Sequence, residues 1–470
     1  MKERSCLFCL VVFLISSAQA QAVSKSIVDD QVGVEVTVYN NNLGLIKDKR
    51  HVKLPLGEGE LRFMDVASHI MPETVHAKSL NHPGNFTVLE QNYEYDLMNA
   101  EKLLDKYVGK KIKIMDWNKF QDRKEFVDAT LLSNNQGPIY RINDEIYLGH
   151  PGHQILPEIP ETLIAKPTLT WLYSNRSEMS HNLEVSYLTK NIKWKTDYVV
   201  ALNEADTLAD ISGWVTLDNK SGTSYRNACL KLVAGDVHQV KEKSEDKVYA
   251  RRYKEKAETP PFEERAFFEY HIYDLQRKTT IKDKQIKQVL LLQAVGTQTE
   301  KELLIKGNRS NFTRLYREKT SKHAVNVYIK LRNSRDNQLG TPLPAGIMRF
   351  YKQDHNGSLH FIGEDSIQHT PKDEEVRLNI GKAFDVVAHR IQRNYRQIST
   401  KLHESEWEIT LRNHKKEDVT VGILEPLFGN WVVASNSHPY KKIDAFTIRF
   451  DVKVPRDGQV KVRYGVRVGL

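Results

Sequence analysis

The chain has 470 residues, of which 69 are Lys or Arg and 60 are Asp or Glu, for a formal charge of +9. That length is ample for cores that need no covalent staple, and three cysteines, two of them at Cys6 and Cys9, exclude a disulfide scaffold. Basic and acidic residues are interleaved along the chain, which argues against nucleic acid as a partner and for a mixed, solvated surface.

Lys2 and Arg4 precede an apolar run from Cys6 to Ile15, and Ala18-Gln19-Ala20 then Gln21-Ala22 follow. A basic head, a short apolar stretch and an Ala-x-Ala exit describe a secretory signal peptide over residues 1–22. The run is shorter than the roughly 20 apolar residues of a membrane span. No later stretch is longer, so no integral membrane span is expected. With Cys229 alone left after cleavage, the expectation is an exported, soluble bacterial protein, periplasmic or extracellular.

The period of the apolar residues is mostly two. Val34, Val36 and Val38 alternate with polar neighbours and run into Asn40–Asn42 and Gly44, the pattern of an antiparallel hairpin. Strands at His51–Leu56 and Glu60–Phe63 complete the N-terminal part of a β-sandwich over 23–92. A helix interrupts this rhythm: Asp96 stands at the cap position, Leu97, Ala100, Leu104 and Tyr107 share one face, and Gly109 marks the stop. Strands at Lys111–Met115, Glu125–Ser133, Ile139–Ile142 and Glu145–Leu148 follow closely. This predicts a small SH3-like or Sm-like barrel with a leading helix over 93–165.

Pro157, Pro160 and Pro167 mark a linker, and strands resume at Thr168–Tyr173 in a large sandwich region over 166–470. Trp194 and Gly213-Trp214 are expected to face inward. Residues 241–265, fifteen of them charged, carry no strand rhythm and read as a mobile loop. Asn219-Lys220-Ser221-Gly222 and Asn413-His414-Lys415-Lys416 read as hairpin turns. At the C-terminus, Val452 and Val454, the turn Pro455-Arg456-Asp457-Gly458 and the alternating Val460–Val468 run predict a closing hairpin, with Lys461, Arg463 and Arg467 outward. The fold class is all-β and mainly antiparallel, a multi-domain β-sandwich with the small barrel inserted.

Four blocks carry a family resemblance. They are HNLEVSYLTKNIKWKTDY at His181–Tyr198, ISGWVTLDNKSGTSYRNACLKLVAGDV at Ile211–Val237, EDSIQHTPKDEEVRLNIGKAFD at Glu364–Asp385, and, within Leu411–Val468, NHKKEDVTVGILEPLFGNWVV and VPRDGQVKVRYGVRV. In that order they resemble the exported bacterial family of domain of unknown function 4139, which includes the mucoidy inhibitor A-like proteins. The resemblance implies a β-sandwich-rich envelope protein and supplies no catalytic residue. The mucoidy inhibitor type places a long coiled coil where the Asp96–Glu158 unit stands here, so a role tied to that coiled coil does not transfer.

Candidate chemistry is sparse. A hydrolase needs two carboxylates across a cleft; the candidates are Asp218, Asp236 (with His238 two residues on), Glu364, Asp365 and Asp385. His150 and His153 have a ligand-like spacing, but the Pro-Gly between them is a turn and no third ligand has a diagnostic spacing, so no metal is expected. His389 is a weaker candidate still. Cys229 reads as a buried small hydrophobe. P-loop, dinucleotide, Gly-x-Ser-x-Gly and His-Glu-x-x-His motifs are absent, and no cofactor is expected. Trp117, Trp171, Trp407 and Trp431 are candidates for stacking on sugar rings or docking a partner. The reading is a non-catalytic envelope protein that binds or scaffolds a protein or polysaccharide, with a hydrolase of an envelope polymer as the alternative.

Overall fold

A computed structural model of the chain describes residues 23–94, 99–118, 121–159, 166–177, 179–235, 262–267, 270–316 and 321–469. The signal-like residues 1–22, Asp96, Asp236 and most of the charged segment lie outside them. The chain is almost entirely β, as the period of two requires, and most strand pairs are antiparallel. None of the described helices is long and apolar enough to cross a membrane.

The N-terminal strands build two facing sheets. Four strands form the first, in the order Val23–Ser26, Gly57–Met64, Thr168–Asn175 and Phe86–Glu94. The second runs Phe262–Phe267, Tyr270–Leu275, Tyr225–Ala234, Gln31–Tyr39, Leu43–Leu54, Met179–Lys190 and His76–Ser79. The Gln31–Tyr39 and Leu43–Leu54 hairpin is present. Strands on both sides of the insertion share this core, where Val36, Val38, Leu61, Phe63, Trp171 and Leu232 pack together. Phe262–Phe267 is a ladder strand paired with Tyr270–Leu275, so the end of the expected charged loop is ordered sheet.

The insertion starts with a helix over Ala100–Lys106. Its cap is Asn99, whose side chain accepts the Lys102 amide at 2.8 Å, so the helix begins three residues later than a cap at Asp96 would place it. Gly109 takes φ +85° and ends it. Strands Lys111–Asn118, Arg123–Ser133, Ile139–Ile142 and Glu145–Leu148 form an antiparallel meander, and His153–Ile155 returns to pair with the first. These five strands form one antiparallel sheet with the fifth beside the first, an order compatible with the expected small barrel. Ile112, Ile114, Leu131 and Tyr140 fill its core.

The C-terminal strands join one sheet system with two further cores. One gathers Tyr198, Val200, Ile211, Leu331 and Phe350, the other Trp407, Ile409, Ile423, Phe450 and Val462. The 22-residue strand Gln285–Lys306 gives side chains to all three large cores: Val289 and Leu291, then Leu292 and Ala294, then Leu303 and Ile305. At about 3.3 Å per residue it reaches roughly 70 Å.

Three turn sequences do something other than close hairpins. Thr447–Val454 pairs with Val419–Pro426 and Tyr440–Asp444, whereas Gly458–Gly469 pairs with Leu402–Asn413 and Asn430–Asn436. Pro455–Gly458 therefore arches between facing sheets, because Val452, Val454, Val462 and Val466 all bury in the same core. Asn219 and Asn413 end strands in the same way, and the strands after them join other ladders. Both side chains are fully buried and tie down loop backbone: Asn219 Nδ2 donates to Thr223 O and Lys282 O, and Asn413 Nδ2 to Glu417 O, Val454 O and Pro455 O. Asn333, at the end of Ser321–Arg332, repeats the device with bonds to Thr341 O and Pro371 O.

Candidate functional site

The described carboxylates do not converge. Asp218 lies near the end of Leu208–Asn219 and pairs with Lys220 at 3.3 Å. Glu364 is half-exposed on Leu359–Ile367 and pairs with Arg349 at 3.1 Å. Through Arg349, Glu364 is level with Val199, whereas Asp218 is level with Lys193. Six residues of strand separate those levels, about 20 Å at the usual rise. Paired glycosidase carboxyls stand roughly 5–10 Å apart. Asp365 accepts the Asn379 amide at 2.8 Å, and Asp385 is exposed on Glu375–Ser399, a strand of the C-terminal core. Asp236 and His238 lie outside the described residues.

Close to Glu364, the carboxylate of Asp197, which sequence reading passed over, gathers partners. Its Oδ1 accepts Arg349 Nη1 at 3.0 Å, Lys195 stands 3.2 Å from Oδ2, and Thr216 Oγ1 donates to it at 3.2 Å. Burial works against ionisation there, but the hydrogen bonds from Arg349 and Lys195 outweigh it and hold the carboxyl below its usual range. A carboxylate held ionised between two cations is a structural ion pair; a proton donor needs the opposite shift.

His150 Nδ1 accepts the Gly152 amide at 3.0 Å, the turn that Pro-Gly implies, and His153 faces Met115 across the ladder. Among the described residues no three His, Cys, Asp or Glu side chains are grouped to hold a metal ion. His389 sits between Lys322 and Thr410. Cys229 is exposed: Ala228 and Leu230 take the core positions, so alternation turns the thiol outward and corrects the buried reading.

The tryptophans divide sharply. Trp171 is fully buried against Phe63, with Nε1 donating to Gln91 Oε1 at 2.9 Å. Trp407 is buried against Phe312 and Tyr316. Neither can stack on a ligand, because both fill sandwich cores. Trp431 is half-buried, its Nε1 donating to Ala445 O and Lys442 lying over its ring. Trp214 is 37% exposed, opposite to expectation: Gly213 takes the inward position against Tyr198 and Leu292, and Trp214 faces solvent.

Trp117 is 48% exposed on the outer face of the small barrel. Two residues earlier on that face, Met115 is level with Phe126 on one side and His153 on the other. Phe126 is 57% exposed, and Ile155, beside His153, is also exposed. The result is a face spread over three adjacent strands on which Trp117 and Phe126 are exposed among Lys113, Lys124 and Asp128. Sequence reading found Trp117 but missed Phe126, because the neighbour that matters lies across a ladder.

No family model matches the sequence, and no curated protein gives a significant match to it.

Proposed function

We propose that the protein is an exported cell-envelope protein, akin to the mucoidy inhibitor A-like family, that binds or scaffolds a protein or polysaccharide partner without catalysing a reaction. The observation that supports this reading is the outer face of the small barrel, where Trp117 and Phe126 are exposed on paired strands two positions apart, next to Met115. Exposed aromatic faces stack on sugar rings or anchor protein interfaces. The spacing and ion pairing of Asp218 and Glu364 weigh against the hydrolase alternative.

The test is binding of the purified mature chain to fractionated envelope glycans and envelope proteins. Trp117→Ala with Phe126→Ala is expected to weaken binding about tenfold at an unchanged melting temperature, two exposed aromatics contributing roughly 0.5–1.5 kcal/mol each. Undiminished binding by that variant overturns the barrel face as the site. Release of new reducing ends from a bound glycan overturns the non-catalytic reading.

A further inference from the structure

The outer face of the C-terminal sheet carries a second kind of surface. Trp407, Ile409, Leu411, Val462, Tyr464 and Val466 point into the core, so alternation sends Glu404, Glu406, Glu408 and Arg412 outward on one strand and Lys461, Arg463 and Arg467 outward on the next. Arg463 lies directly opposite Glu408, and Arg467 opposite Glu404. From the third strand, Arg396 lies opposite Glu404, and the bulge after Gln392 brings Arg393 to Glu408.

Each of two glutamates is thereby covered by two arginines. Arg393 Nη2 donates to Glu408 Oε1 at 2.7 Å and Arg463 Nε to Oε2 at 2.6 Å. Arg467 Nε and Nη2 reach Glu404 Oε2 at 3.1 and 2.9 Å, and Arg396 Nη2 stands 3.5 Å from the same oxygen. The Glu408 side chain is only 2% exposed, while Arg393 and Arg463 are 51% and 65% exposed. The carboxylates lie beneath and the guanidiniums face water. Each arginine has five N–H donors and spends one or two on its glutamate.

Lys461 and Arg412, both exposed, extend the cations along the strand. Between Glu404 and Arg412 the stripe holds Arg393, Arg396, Arg412, Lys461, Arg463 and Arg467 against Glu404, Glu406 and Glu408, with Asp385 beyond its end. It is about 27 Å long at the usual strand rise. Of the three glutamates, Glu406 alone is exposed; it stands opposite Gly465, between the two arginine pairs.

We propose that this stripe binds an acidic polysaccharide, a chain whose carboxylate or phosphate groups recur along its length. Guanidiniums fixed by a carboxylate beneath them are oriented for bidentate contact with such anions. The two arginine pairs recur four residues apart, which suits a repeating linear ligand. The stripe has no large aromatic anchor of the sort that dominates protein interfaces, which favours glycan over acidic protein. The inference rests on the polysaccharide arm of the function proposed above but uses a different surface.

The experiment is affinity electrophoresis or calorimetry of the full mature chain with polygalacturonate, neutral dextran and poly-glutamate, at low and high salt. Binding to polygalacturonate that weakens with salt, with none to dextran, is expected. Each glutamate keeps its second arginine when one is removed, but the pairs also tie neighbouring strands together, so the variants chosen leave the pairs intact. Lys461→Gln with Arg412→Gln is expected to weaken binding at least about fivefold, and Glu406→Gln to tighten it by about threefold, as loss or gain of contact-range charge predicts. Either variant behaving as wild type, no binding to polygalacturonate, or tighter binding to poly-glutamate overturns the proposal. If Trp117→Ala with Phe126→Ala abolishes glycan binding while the stripe variants do not alter it, the general binding function stands and the stripe is not its site.

Discussion

Two buried arginines, one in the N-terminal core and one in the C-terminal core, use the same chemistry with different completeness. Every guanidinium nitrogen of Arg50 has a partner: Nε and Nη2 donate to Asp48 Oδ2 at 3.1 and 2.8 Å, and Nη1 crosses to Ser26 O at 3.1 Å. Its guanidinium also lies 3.7 Å from the centre of the Phe63 ring. Arg390 directs Nη2 to Glu425 Oε2 at 2.9 Å and to Tyr464 Oη at 2.7 Å, over the Trp407 ring. Its Nε and Nη1, and Glu425 Oε1, are without a hydrogen-bond partner among the described residues. Asp48 comes from the same strand as Arg50, two residues away, whereas Glu425 comes from a different ladder strand. A local pair can be satisfied by one strand's alternation; a long-range pair depends on how two sheets settle against each other. Gly307 shows how tight that fit is, since a Cβ there would collide with the Glu425 carboxylate.

Removing one partner is the most forceful way to break this comparison. Glu425→Ala is expected to destabilise the protein by about 3–5 kcal/mol, because it leaves Arg390 charged and buried. Asp48→Ala should cost about as much, since it leaves Arg50 with Ser26 O and the Phe63 ring as Glu425→Ala leaves Arg390 with Tyr464 Oη and the Trp407 ring. Arg390→Met with Glu425→Leu should recover most of the loss, as apolar replacements of buried pairs do. Chemical denaturation checks all three; a double replacement that recovers none of the Glu425→Ala loss would show that an uncompensated buried charge is not its cause.

A smaller effect compares the strand-end asparagines. Asn413→Ala strands three carbonyls that its amide now serves, and Asn219→Ala strands two. Asn413 Oδ1 also accepts the Lys415 amide, and Asn219 Oδ1 accepts the Ser221 amide and hydroxyl, so each loses four bonds and the two should cost alike, roughly 1–3 kcal/mol, read from the shift in denaturation midpoint.

The smallest effect is a pH dependence shared by both regions. Burial, with His82 nearby, holds the His181 imidazole below its usual pKa; burial and Arg390 do the same for His323. Both therefore stay neutral in the folded protein where the unfolded chain, with a His pKa of about 6.5, already binds a proton. Stability is full above that value and declines as pH falls through it toward the lower folded pKa. Melting temperature is expected to drop between about pH 7 and pH 5, and His181→Gln should flatten the decline. A flat profile in the wild type would remove the histidines from the account.

Much of the architecture was legible because alternation is a local property. Val34–Val38, the small barrel's strands and the C-terminal Val460–Val468 run all showed their faces in the sequence, and the barrel's short strands implied its meander. The outward set Lys461, Arg463 and Arg467 was visible too, but its glutamate partners were not, since they sit on another strand in a register that no spacing along the chain encodes. The same limit explains Trp171 and Trp407: an aromatic on a strand is displayed or buried according to which face meets the other sheet. At Cys229 and Trp214 the neighbours' alternation held the answer, and residue type misled.

The sequence by itself determined an all-β, mainly antiparallel chain and the alternating faces of its strands, because side-chain period and turn residues act over a few positions. Only the tertiary structure decided that Pro455–Gly458 and the turns at Asn219 and Asn413 join separate ladders instead of closing hairpins, that one strand serves three cores, and that two glutamates lie beneath arginine pairs. Those outcomes depend on which sheets bury their apolar faces together, a choice made across hundreds of residues and not within any one strand.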